Sequence, residues 1–133
     1  MLGVGINMGR YAYFSTGFEY KFSFGVQPSE DILLFEGRAF LDDSETGFKR
    51  HTWEKEEISR IEKKLQKCLD WLGEEPVNFQ TYERSALGTY QLMNELLPLY
   101  KEHNEDLTAR YILGCVIYHQ LLYNDILVAE YEG

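Results

Sequence analysis

Between Phe18 and Val26 apolar and polar residues alternate (Phe-Glu-Tyr-Lys-Phe-Ser-Phe-Gly-Val), so Phe18, Tyr20, Phe22, Phe24 and Val26 share one side of any extended chain. A strand of this kind carries an aromatic face that must be covered. Cover is available near the other end, where residues 111–123 are apolar nearly all round at helical spacing and read as a buried helix. The two needs match, and they predict an α+β fold in which N-terminal antiparallel β-hairpins pack by an aromatic face on three main C-terminal helices.

Local signals divide the chain further. Strand residues 10–14, a turn over Ser15, Thr16 and Gly17, and the aromatic strand form a predicted hairpin. After Pro28, Ser29 is a good N-cap and Gly37 a good stop for a short helix over 30–36. Residues 38–41 and 48–51 suit a second hairpin around the acidic turn 42–47. Thr52 is placed to cap a helix whose apolar residues Ile58, Ile61, Leu65, Cys68 and Leu72 step by three and four, with Gly73 as its stop. Asn78 is placed to cap the next helix, through Tyr82, Ala86, Tyr90, Met93 and Leu97, until Pro98 removes a backbone donor. Asn104 then opens the last helix, antiparallel to its predecessor, with close backbone approach expected at Gly88 and Gly114. Residues 1–133 read as one domain, with 1–9 and 125–133 as mobile ends.

Charge narrows the range of partners. Thirteen Lys and Arg stand against 22 Asp and Glu, a formal charge of -9, and no basic cluster extends beyond Lys63, Lys64 and Lys67. Nucleic-acid affinity rests on cationic contacts to phosphate, so direct DNA or RNA binding is not expected. No window approaches the roughly 20 apolar residues of a membrane span. Cys68 and Cys115 lie in apolar helical patterns rather than in a Cys-x-x-Cys pair, which fits buried free thiols in a cytoplasmic protein.

Chemical motifs are weak. Gly3, Gly5 and Gly9 lack the strand–turn–helix context of a dinucleotide loop. The turn from Asp42 begins like a calcium loop, yet Arg50 and Trp53 stand where its later ligands belong. Glu19, Lys21 and Ser23 between the aromatic residues give no basic field for base stacking. Three scattered histidines, His51, His103 and His119, have no zinc spacing; His51 and His103 fall in predicted turns. No metal and no cofactor is expected.

His119 and Gln120 are the strongly polar pair inside the apolar last helix. Together with Tyr118 and Tyr90 they are the candidate ligand or interface residues, with Tyr123 and Glu83 as conceivable neighbours of His119. The leading expectation is a small acidic, non-enzymatic module that binds protein, a second copy of itself included. Ten tyrosines, eight phenylalanines and two tryptophans support it, because aromatic side chains carry much interface energy. The rival is a small-molecule-binding protein or small enzyme with a pocket near His119. A third reading is an acidic nucleic-acid mimic that blocks a basic protein.

Overall fold

The computed structural model describes residues 11–21, 39–42, 45 and 47–132. Five strands, β1 (Tyr11–Phe14), β2 (Glu19–Lys21), β3 (Ala39–Asp42), β4 (Phe48–Glu54) and β5 (Ile126–Glu132), form one antiparallel sheet in the order β2-β1-β5-β4-β3. Three helices follow β4 in the chain: α1 (Ile58–Leu72), α2 (Ala86–Leu96) and α3 (Glu105–Leu122). The expected α+β architecture is present. No helix among the described residues is long and apolar enough to cross a membrane.

Alternation along the strands gives the sheet two unlike faces. Ala12, Phe14, Tyr20, His51, Trp53, Leu127, Ala129 and Tyr131 are buried toward the helices. On the opposite face Tyr13 and Ile126 are exposed, and Arg50 pairs with Glu130 across β4 and β5 at 3.4 Å. Phe18 and Tyr20 deliver the aromatic face predicted for the first hairpin: Phe18 meets the Tyr90 ring at 4.5 Å between centroids, and the Tyr20 hydroxyl donates to the Ala109 carbonyl of α3 at 3.3 Å. Phe22, Phe24 and Val26, the predicted helix over 30–36 and the glycine-rich start all lie outside the described residues.

Helix α3 is the hub. Residues Tyr111 to Ile117 are all buried, as an all-round apolar helix must be when it packs on α1, α2 and the sheet together. Asn104 caps it as expected, its side chain accepting from the N–H groups of Asp106 and Leu107. Gly73 ends α1 at φ 70°, also as expected. The second hairpin's strands are present, β3 paired antiparallel with β4.

Four expectations are corrected. Where a mobile end was expected over 125–133, Ile126–Glu132 is β5, paired with β1 on one side and β4 on the other. Thr52 does not cap α1 but lies inside β4, opposite Ala39 and Val128; the chain enters the helix through a capping box in which the Glu57 carboxylate accepts from the Glu54 N–H at 2.7 Å. Asn78 caps only the single 3-10 turn Phe79–Thr81, and the second long helix begins at Ala86 under Ser85. The crowding at Gly88 is local to that entry, since a Cβ there would stand 2.2 Å from the Glu83 carbonyl oxygen. Pro98 opens the 3-10 segment Leu97–Lys101, where the α-helical bonding of α2 stops.

Candidate functional site

Three chain segments converge on the C-terminal end of α3. The β1–β2 turn is tied to β5, where the Ser15 N–H donates to the Val128 carbonyl at 2.9 Å and the Val128 N–H to the Ser15 hydroxyl at 3.1 Å. That tie sets Thr16 against α3, and its hydroxyl donates to the Gln120 side-chain carbonyl. The Gln120 amide donates in turn to the Val116 carbonyl at 3.0 Å, and Asn124 donates to the Gln120 backbone carbonyl at 2.7 Å. The third segment is the start of α2, where Ser85 accepts from the Gly88 N–H at 3.3 Å.

Between these segments lies a cavity of about 150 Å³ lined by Thr16, Arg84, Ser85, Thr89, His119 and Gln120, with Ala86, Tyr123 and Asn124 completing the wall. His119 is 1% exposed. Its Nδ1 shares a 2.8 Å hydrogen bond with the Thr89 hydroxyl, its ring sits edge-on to Tyr123 at 5.4 Å, and its Nε2 makes no hydrogen bond. Burial lowers the His119 pKa, and a polar contact with the Glu83 backbone opposes that shift in part. Arg84 stands over the Tyr123 ring, 5.0 Å from its centroid, and has no carboxylate partner among the described residues.

Of the four residues singled out in the sequence, His119 and Gln120 line this cavity together, whereas Tyr118 and Tyr90 lie elsewhere. The Tyr118 hydroxyl donates to Glu62 of α1 at 2.9 Å, and burial together with that carboxylate pushes its pKa up to about 12. The Tyr90 hydroxyl accepts from the Glu19 N–H at 3.0 Å, joining α2 to the sheet edge. Sequence reasoning missed Ser85, Thr89, Arg84 and Thr16. The signal for two of them was present: Ser85 before Ala-Leu-Gly-Thr is an N-cap, and Thr89 four positions on returns its side chain toward the Ser85 carbonyl.

The other histidines have plainer settings. His51 is not in a turn but in the middle of β4, wholly buried, with its ring stacked 5.6 Å from Trp53 and 5.7 Å from Tyr131. Its Nε2 pairs with the Tyr131 hydroxyl at 3.1 Å, and burial, with Lys49 adding to it, lowers its pKa to about 4. His103 pairs with Glu74 at 2.6 Å, tying the loop after α1 to the turn before α3. Glu102 joins them so that the three ligand atoms lie within 4.8 Å of one another, a grouping that sequence spacing did not show. Cys68 and Cys115 are buried free thiols, and burial pushes the Cys68 thiol up to about 11.

Neither a protein-family model nor a curated protein nor a solved structure matches this chain.

Proposed function

We propose that this protein is a non-enzymatic binding protein that takes a small polar ligand in the His119 cavity. The observation that carries the reading is His119 itself: a buried imidazole on a cavity wall with one nitrogen held by Thr89 and the other without a hydrogen bond. An unsatisfied buried polar atom costs about 1 to 3 kcal/mol, a cost that a ligand bonded there would remove. Binding is favoured over catalysis because the wall of this cavity carries neither a carboxylate nor a thiol side chain to act with the imidazole. Two buried thiols support a reducing, cytoplasmic setting.

A mixture screen of small polar fragments, followed by amide spectra of the full chain, tests this. Shifts should gather at Thr16, residues 84–89 and residues 119–124. Shifts gathered on another surface, or none at all, would overturn the assignment.

A second reading keeps the protein-binding expectation, with a second copy as partner. Tyr13 is 49% and Ile126 59% exposed on the outer face of the sheet, and exposed aromatic and aliphatic residues suit association. Sedimentation across a concentration series separates the two: a dimer lost in Tyr13→Ser would favour this second reading, whereas a monomer at every concentration would remove it.

A further inference from the structure

We infer that the cavity selects a small carboxylate monoanion, an inference that rests on the ligand-binding reading above and names its chemical class. The cavity opens at the N-terminus of α2, an 11-residue helix whose wall residues are Ser85, Ala86 and Thr89. The first-turn N–H groups of a helix have no carbonyl partner within it, and the helix dipole places partial positive charge at that end. A helix terminus alone attracts many things weakly. Here two independent features join it: among the described residues Arg84 is a cation without an ion-pair partner, and the buried His119 Nε2 has no hydrogen bond.

The polar groups of the wall divide unequally between donors and acceptors. Thr16 is committed, donating to Gln120 and accepting from the Phe18 N–H. The side-chain carbonyl of Gln120 is committed to Thr16 and its amide to Val116. Left over are the Arg84 guanidinium, the Ser85 hydroxyl proton, since the Ser85 oxygen already accepts from Gly88, and the N-terminal amides of α2. These are donors, and they outnumber the acceptors left on the wall, the Asn124 side-chain carbonyl and the Tyr123 hydroxyl oxygen. The His119 tautomer follows the one proton of the Thr89 hydroxyl: donated to Nδ1 it leaves the ring proton on Nε2, a donor, and donated to the Ser85 carbonyl it leaves Nδ1–H bonded to Thr89 and Nε2 an acceptor, so a bound anion selects the first arrangement.

A surplus of donors around one cation calls for an acceptor-only ligand of single charge. A planar carboxylate fits the guanidinium fork, and one negative charge is met by Arg84, which has no carboxylate partner among the described residues. A dianion would face that same single cation inside a chain of formal charge -9. The volume of about 150 Å³ suits a ligand of a few heavy atoms.

The test titrates the full chain with sodium acetate against matched sodium chloride, with acetamide, methylammonium and inorganic phosphate as parallel arms. Amide signals of residues 85–89 and the His119 ring are followed. Acetate should give saturable shifts at these sites, and Arg84→Gln, an exposed substitution, should weaken them at least about fivefold, as expected when a charge-assisted hydrogen bond is lost. Acetamide or methylammonium binding as tightly as acetate at these residues would overturn the carboxylate while sustaining the ligand-binding reading. Phosphate binding more tightly than acetate would overturn the monoanion. Silence in every arm, where the fragment screen does find a cavity ligand, overturns this inference alone; silence in both experiments overturns the two together.

Discussion

His51 and His119 are equally sealed from solvent, at 0% and 1% exposure, and in both burial lowers the pKa, yet their surroundings have little else in common. His51 lies in a close-packed sheet, its ring in line with Trp53 and Tyr131 and its Nε2 on a phenol. His119 lies where three segments meet without filling the space between them. The contrast shows that burial of a titratable group says nothing of its use. What distinguishes a site is unfilled volume beside uncommitted polar atoms.

The largest expected effect belongs to the packed side. Trp53 is fully buried beside His51, so Trp53→Ala should lower unfolding stability by about 3 to 5 kcal/mol, whereas Arg84→Gln at the cavity rim should stay within about 0.5 kcal/mol. Denaturant unfolding checks both, and similar losses would erase the distinction between a packed and an open region.

Acid sharpens the comparison next. A histidine whose native pKa is about 4 against 6.5 in the unfolded chain leaves the unfolded state binding more protons between those values. Stability therefore falls as pH drops through that window, by about 3 kcal/mol in total from His51, with His119 acting in the same direction. In His51→Gln the curve between about pH 6.5 and 4 should be flatter than in the parent chain. An unchanged slope would mean that His51 is free to charge in the fold.

Two smaller changes probe each site's hydrogen bonding. Tyr131→Phe removes the hydroxyl from His51 Nε2 and should cost about 1 to 2 kcal/mol in denaturant unfolding. Ser85→Ala removes the cap of α2 and should cost about 1 kcal/mol, with faster amide exchange confined to the first turn of α2. Exchange spreading into β4 would show that the cavity wall and the sheet are one rigid unit after all.

Legibility in the sequence followed how local each signal was. The first hairpin, the buried last helix, the Asn104 cap and the Gly73 stop rest on neighbouring residues and were readable. Strand β5 was not, because Ile126 and Val128 on its outer side are as apolar as Leu127 and Ala129 on its inner side, so no alternation marks it. Thr52 has the chemistry of a cap, but pairing with Val128 and Ala39 outweighs it. At the site, the polarity of His119 and Gln120 within an apolar helix was visible. Thr16 and Arg84 reach them across 103 and 35 positions of chain respectively, counted from His119, and only the folded topology reveals that.

The most direct measurement of the central contrast follows the two imidazole rings in one sample. Ring nitrogen and carbon-bound proton signals of His51 and His119 would be recorded while acetate is added to the full chain at constant pH and ionic strength. The account predicts saturable movement of the His119 signals with those of His51 unmoved. Equal movement of both, or movement of His51 alone, would contradict it.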